Sequence, residues 1–324
     1  MSIEKPLIDI FVPTYEPDPH FLTHALDSIK HQTERRFSVF INDDCSQGDV
    51  KEWVKPYLAD GRFTFTRSAK RLGIGGNWNA CLSYGSAPYM QFLFQDDYWY
   101  TPYLQRCLEI FTQYPSIGFI SVDHMYEYEE GTDNASTYES WRTLRRTHIA
   151  PGIHRGMHFL RWWIDQGLHP NMIGEPSFVM MKRDVVERTG LFREDMAQSL
   201  DVEYWTRILQ KTDWHFLDEE LGAFRVHTKG ASAKNQREGM GLFERFQCLN
   251  HLAKTMPEAG LARDKTLVSM VTKFFGRIAD RKKVSTKGSG EFRRFCLRHP
   301  LVVMKALLRS MLSFDRAQDR LHKK

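Results

Sequence analysis

Cysteine is scarce in this chain. The five present, Cys45, Cys81, Cys107, Cys248 and Cys296, never fall into a C-x-x-C pair. Such spacing supports neither a zinc framework nor a disulfide scaffold, and a reducing compartment is the expectation. Long apolar runs are missing too. The run "LIDIFVPTY" near the start is too short to span a bilayer, no later run is longer, and the opening residues lack a charged-then-apolar leader pattern. A soluble, cytoplasmic protein is therefore expected. Internal repeats and low-complexity tracts are absent. So is a G-x-G-x-x-G fingerprint: "GIGG" at 73–76 has the wrong spacing and follows the third strand signal rather than the first, which disfavours a nicotinamide dinucleotide site.

Apolar residues are plentiful, at 42% of 324, enough for a sizeable core in one large or two modest domains. Charge is uneven. Residues 273–324 hold 15 Lys and Arg against 4 Asp and Glu, a local balance of +11, whereas the net charge of the whole chain is +5. A basic tail on an acidic body points to an anionic surface as a partner for the tail, or to a plain solvated helix. From Pro300 the tail has helical spacing. Lys305, Arg309, Arg316 and Arg320 form one stripe, and Leu301, Met304, Leu308 and Met311 gather on another side. Residues 290–324 are thus expected to meet an anionic membrane surface peripherally, the alternative being docking on the body.

The first 126 residues alternate short apolar strand signals ("LIDIFVPTY", "FSVFINDD", "RFTFTRS", "YMQFLFQDD", "IGFISVDHMY") with helical spacing over roughly 19–32, 49–58, 76–86 and 102–114. This alternation predicts a mostly parallel sheet covered by helices on both faces. Residues 127–155 lose the pattern and read as a long loop. Strand–helix signals return in "MHFLRWWID", "PSFVMMKRDVVERTG", "SLDVEYWTRILQ" and "WHFLDEELGAFRVH", and from about 238 the pattern is helical.

Ligands of such sheets bind beyond the carboxyl ends of the strands, and those ends are unusually polar here: Pro13-Thr14-Tyr15, Asn42-Asp43-Asp44 and Asp96-Asp97. Adjacent carboxylates at a sheet rim suit a hard divalent cation, which binds one or two carboxylates together with substrate phosphates; helix capping is the competing role. Asp43 and Asp44 suit hydrogen bonds from a base or ribose, or an Asx turn. Lys70 and Arg71 suit a phosphate or a base carbonyl.

The succession "FVPTYEP", "FINDDCS", "RLGIGGNWNACLSYGSAPYMQFLFQDDYWYTPYL", "GEPSFVMMKRDVVERTGLFRE", "SLDVEYWTRIL" and "FRVHTKGAS" resembles family-2 glycosyltransferases of the GT-A fold over about residues 6–233. The resemblance implies a GT-A domain at 1–236, with a nucleotide-binding half to about 126 and an acceptor and catalytic half at 127–236. A helical basic region follows at 237–324. It implies inverting transfer of a sugar from a UDP- or dTDP-linked donor to a hydroxyl of a glycan or lipid-linked acceptor, with Mn²⁺ or Mg²⁺ and without nucleic acid. Nucleotide-sugar binding falls to Pro13, Thr14, Tyr15, Asp43, Asp44, Arg71, Asn79, Asp96 and Glu175. Where the family often reads Asp-Ser-Asp-Asp, this chain has Phe94-Gln95-Asp96-Asp97, so Asp97 is expected on the metal, with Asp96 assisting and His227 completing the shell. Arg225 and Lys229 are alternatives for phosphate contact. Asp201, where the family often has Glu-Asp and this chain has Leu200-Asp201, is expected to be the general base, with N-capping as its other role; Trp205, four residues on, is expected in the core. Rival readings are a non-catalytic sugar- or nucleotide-binding module and a sugar-nucleotidyltransferase. The second is disfavoured because "VPTYEPDP" is not a basic, Gly-rich loop.

Overall fold

The computed structural model describes residues 5–132, 135–230, 232, 235, 238–279 and 287–308. Its contacts divide the chain into two compact units. One comprises residues 1–160 and 170–228, the other 161–169 and 229–324.

The first unit is built on an eight-stranded sheet in the order β3-β2-β1-β4-β9-β6-β10-β8. The left half is parallel throughout: β1 (Ile8–Thr14), β2 (Phe37–Asp43), β3 (Phe63–Arg67) and β4 (Tyr89–Phe92). Strand β9 (Val179–Lys182) runs antiparallel between β4 and β6 (Phe119–Val122), β10 (Trp214–Leu217) is parallel to β6, and β8 (Gly152–His154) closes the edge. A second sheet of three strands has the order β5 (Tyr98–Trp99), β11 (Gly222–Val226), β7 (Met125–Tyr128). All seven residues of β1 are buried, the signature of a central strand covered on both faces.

Helices α1 (Pro19–Lys30), α2 (Val50–Val54), α3 (Gly73–Leu82) and α4 (Tyr103–Gln113) fill the connections. Asp18 caps α1 by accepting from the His20 N–H at 3.0 Å, with Pro19 at the first helical position. Leu22, Leu26 and Ile29 of α1, Val50 and Val54 of α2 and Leu104 of α4 enter one core with Ile10, Val12, Val39 and Ile41. Helix α3 starts three residues before the sequence reading places it, because its glycines look like a turn. A Cβ at Gly75 would lie 2.8 Å from the Arg193 carbonyl oxygen, so the glycine lets α3 press against segment 192–194.

The expected loop at 127–155 is corrected. It contains the end of β7, α5 (Ala135–His148) and β8. Helix α5 buries only Arg145, so no apolar stripe announced it. Helices α6 (Gly156–Asp165), α7 (Arg183–Thr189) and α8 (Leu200–Ile208) follow where helical spacing returned.

The second unit contains α9 (Met240–Leu252), α10 (Glu258–Ala279), α11 (Lys287–Arg298) and a helical stretch at 300–308. Phe243, Phe246, Leu267, Met270, Phe292 and Ala306 form its core. Leu301, Met304 and Leu308 are 73%, 54% and 54% exposed, while Val302, Val303 and Ala306 pack inward. Arg309, Met311, Arg316 and Arg320 lie outside the described residues. All five cysteines are free. Among the described residues, no helix is long and apolar enough to cross a membrane.

Candidate active site

The parallel pairing aligns Thr14 of β1 with Asp43 of β2, and so brings the polar strand ends to one rim. Most of these residues build the rim. Ser46 donates its hydroxyl to Asp43 Oδ1 at 2.5 Å and its N–H to Oδ2 at 3.2 Å, forming the turn. Asp44 accepts from the backbone N–H groups of Leu72 (2.5 Å) and Gly73 (2.9 Å), which satisfies the start of α3. Burial raises the Asp44 carboxyl above its ordinary pKa, although those two N–H groups oppose the shift. Asp43 is fully buried and Asp44 only 2% exposed. In this structure the two carboxylates shape the loop at the strand ends. Pro13 and Thr14 are likewise buried in β1.

Asn79 ties α3 to segment 192–194. Its amide nitrogen donates to the Phe192 carbonyl at 3.0 Å and to Glu194, and its oxygen accepts from the Phe192 N–H at 2.8 Å. Tyr15 and Arg71 do meet: the exposed guanidinium lies 3.8 Å from the Tyr15 ring centroid. Gln95 pairs with both backbone groups of Tyr15, joining the ends of β1 and β4.

Residues 93–97 carry the paired acids. Asp97 is 2% exposed; Ser177 donates to its Oδ2 at 2.5 Å and the Arg225 N–H to its Oδ1 at 3.2 Å. Burial pushes its carboxyl well above the usual range, with Asp96 adding to the rise. Asp97 is thus buried and held by two donors in this structure. Asp96 is the acid that meets His227, with Oδ2 3.3 Å from Nε2. Its Oδ1 and His227 Nδ1 are buried without a hydrogen-bond partner. The Asp96 contact raises the His227 pKa against the effect of burial. Phe94 stacks on Trp78 (4.7 Å, 25°), so the position where the family often has an acid belongs to an aromatic cluster.

Arg225 is 7% exposed and engaged within the fold. It donates to the Asp96 carbonyl oxygen at 3.0 Å, lies 3.0 Å from His24 Nδ1, pairs with Glu127 and covers the Phe21 ring. Lys229 is exposed and belongs to the second unit.

A second group surrounds loop 174–178. Gln91, buried in β4, donates to the carbonyls of Pro176 and Ser177 and fixes that loop. Asp201, in the first turn of α8, accepts from Asn171 Nδ2 at 2.8 Å and from the Val202 N–H. Asn171 also exchanges two hydrogen bonds with Gly174. Trp205 is buried, as its position suggested, and donates to the Gly174 carbonyl at 3.0 Å. Glu175 lies 3.1 Å from His124 Nε2. Burial alone would raise the Glu175 carboxyl; the His124 contact and the Arg145 charge outweigh it and hold the group below its ordinary value. Sequence reasoning missed Asp123, His124, Asn171 and Ser177. Asp123-His124 ends β6, so the strand-end rule that found Asp96 would have found this pair too.

Among the described residues, no cluster of three or more His, Cys, Asp or Glu could hold a metal ion. Asp96 Oδ1 is unpartnered, and Nε2 is the His227 nitrogen that faces Asp96, while Nδ1 points away. One carboxylate and one imidazole would suit Mg²⁺ or Mn²⁺ where substrate phosphates complete the shell.

A mostly parallel sheet thus gathers acids from its strand ends at one rim, and a second sheet delivers a histidine to them. The family model for glycosyl transferase family 2 matches residues 9–190, more than half of the chain, and the chain belongs to that family. It is a glycosyltransferase with the GT-A fold. An uncharacterized protein of Mycobacterium tuberculosis is 29% identical over 227 residues, covering 69% of this chain and 68% of its own. An uncharacterized glycosyltransferase of Methanocaldococcus jannaschii is 21% identical over 231 residues, covering 69% and 72%. Among solved structures, Staphylococcus aureus TarS 1–349 in complex with UDP-GlcNAc superposes with a TM-score of 0.58 at 12% identity, over 80% of this chain and 71% of that one. The longer TarS chain is covered only to 43%. The mannosyltransferase PcManGT of Pyrobaculum calidifontis, in complex with GDP-Man and Mn²⁺, gives 0.56 at 14% identity, over 95% and 87%.

Proposed function

We propose that the chain transfers a hexosyl group, with inversion, from a UDP- or dTDP-sugar to a hydroxyl of a glycan or lipid-linked acceptor. The observation that carries this is the Asp96–His227 pair, in which Asp96 Oδ1 is buried and unpartnered and His227 turns Nε2 to the carboxylate beyond the β4 terminus. These two residues would hold the divalent cation, His227 through Nε2, and the cation would supply positive charge for the departing diphosphate. Arg71, exposed over Tyr15, is placed to meet the nucleotide from the opposite strand end. Asp201 accepts the proton of the acceptor hydroxyl as its oxygen bonds to the anomeric carbon. The bond from that carbon to the phosphate oxygen breaks, and its electron pair leaves with the nucleoside diphosphate. Asn171 holds the Asp201 carboxylate in place. The TarS complexes with UDP and UDP-GlcNAc on the same fold support a pyrimidine donor, and GDP is the competing choice.

Thermal stabilisation by UDP, dTDP and GDP with Mn²⁺ tests the donor. A shift with the pyrimidines that needs Mn²⁺ is expected, and a shift with GDP alone refutes the base assignment. Asp201→Asn is expected to keep that shift while transfer falls by about 10²–10⁴-fold, the range for a lost general base. Equal turnover in this variant would remove Asp201 from the base role.

We also propose that the C-terminal region meets an anionic membrane surface peripherally. Support comes from the exposed Leu301, Met304 and Leu308 beside Lys305, in a tail whose sequence is strongly basic. Co-sedimentation with phosphatidylglycerol vesicles that is unchanged by Leu301→Ser with Met304→Ser would refute it.

A further inference from the structure

Arg225 holds the paired-acid turn at two points. The antiparallel register that sets Ala223 against Tyr98, carried two residues further, places Arg225 opposite Asp96. Its backbone N–H donates to Asp97 Oδ1 at 3.2 Å, and its Nη1 donates to the Asp96 carbonyl oxygen at 3.0 Å. Two positions further along the chain stands His227, whose Nε2 lies 3.3 Å from Asp96 Oδ2. One residue thus grips the backbone of the acid and, by strand alternation, shares a side of β11 with the histidine.

The guanidinium is itself held by α1, β5 and β7. Its central carbon lies 4.2 Å from the centroid of the Phe21 ring and 5.5 Å from that of Tyr98. Phe21 also meets the His227 ring edge-on, at 5.3 Å and 70°, so one side chain of α1 touches both Arg225 and His227. His24, three residues on in α1, lies 3.0 Å from Arg225 Nη2 through its Nδ1. A guanidinium only donates, so Nδ1 is the acceptor in this contact. The His24 ring stacks on Tyr98, the neighbour of Asp97, at 4.1 Å and 25°. Glu127 of β7 accepts from Nη2 at 3.2 Å and supplies the opposite charge that a cation only 7% exposed requires. The planar fork reaches Asp96 with one nitrogen, His24 and Glu127 with another, and packs its face on a ring; a single ammonium could not do all three.

We infer that Arg225 is the positioning residue of the Asp96–His227 cation seat, with Phe21 and His24 of α1 fixing its guanidinium. The inference rests on the cation-dependent transferase reading above. It means that the spacing of the carboxylate and the imidazole is set by a helix that supplies neither of them.

Two measurements on the full chain test it. Mn²⁺ titration in the presence of UDP, followed by electron paramagnetic resonance, reads the seat. Hydrogen–deuterium exchange of the metal-free chain reads the turn: the Asp97, Trp99 and Tyr100 N–H groups all donate within the fold, so a peptide spanning 93–103 reports whether it is held. Arg225→Met is expected to weaken Mn²⁺ binding by about 10–100-fold, the range for a lost outer partner of a metal ligand. Exchange at 93–103 should quicken on the order of tenfold while β1 keeps its protection. Arg225→Lys keeps the charge and one donor, and should recover part of both losses. His24→Leu combined with Glu127→Ala changes two exposed side chains and leaves the core intact. It should weaken Mn²⁺ binding in the same direction by about threefold or more, and it decides the matter if Arg225→Met does not fold. Unchanged Mn²⁺ affinity in the variant that decides overturns the inference. So does faster exchange that extends to β1, which marks a structural role alone. Weaker Mn²⁺ binding with unchanged exchange also overturns it, because Arg225 would then act on the bound diphosphate. A wild type that binds no Mn²⁺ would instead sink the cation reading, and exchange at 93–103 would still decide whether Arg225 sets the turn.

Discussion

The two adjacent aspartates of "FQDDYW" provide a sharp test, because the structure gives them opposite duties. Removing the Asp97 carboxyl strands two buried donors, the Ser177 hydroxyl and the Arg225 N–H. At ~1–3 kcal/mol for each unsatisfied buried group, Asp97→Ala should cost about 2–6 kcal/mol. At about 2–4 °C per kcal/mol for a domain of this size, the midpoint should fall by roughly 4–24 °C. Asp96→Asn keeps a hydrogen-bonding partner for His227 and should cost about 1 kcal/mol or less. Ligand binding should behave the other way. UDP and Mn²⁺ at 100 times their dissociation constant stabilise by ~2.7 kcal/mol, a shift that Asp96→Asn should abolish. Differential scanning fluorimetry with and without UDP and Mn²⁺ reads both effects. If Asp96→Asn keeps the full Mn²⁺-dependent shift while Asp97→Ala loses it at unchanged stability, the division of roles is wrong.

The Asp96–His227 pair also predicts a pH dependence. Its contact raises the His227 pKa above 6.5, so the charged pair stabilises the fold fully below about pH 6.5 and that contribution is lost as pH rises through the raised value. Cation binding needs the neutral imidazole, so apparent Mn²⁺ affinity should climb across the same window and flatten in His227→Gln; a Mn²⁺ titration followed by electron paramagnetic resonance would show it. Gly174→Ala should lower the midpoint, since a non-glycine residue at φ 108 costs ~1–3 kcal/mol. Unchanged unfolding of this variant would mean the loop can rearrange freely.

Much of the left half-sheet was legible because β1, β2 and β3 carry their own apolar runs and punctuating turns. Helix α5 was not: its packing residue is an arginine, and a helix that contributes polar groups to a site leaves no apolar period. The starting point of α3 was hidden for a related reason, since Gly75 is set by the approach of segment 192–194, more than a hundred residues away. At the site, sequence reasoning found the acids but could not rank them. Burial separates Asp97 from Asp96, and burial depends on Ser177 and Arg225, which arrive from β9's approach and from β11. The same long-range logic gives Asp43, Asp44 and Asn79 hydrogen-bond partners within the fold that spacing alone did not show.

The short pairing of β5 with β11 sets Tyr98 against Ala223 and Trp99 against Gly222. It draws Asp96 and His227, 131 positions apart in the chain, to 3.3 Å. During synthesis, the segment bearing Asp96 leaves the ribosome well before the strand that carries His227. The sheet's left half can pair locally in that interval, but the acid remains without its histidine and Asp97 without the Arg225 N–H. Competence at this rim is thus deferred until the last strand of the unit is added, and a chain cut short before β11 would carry the recognisable acidic motif with no working centre around it.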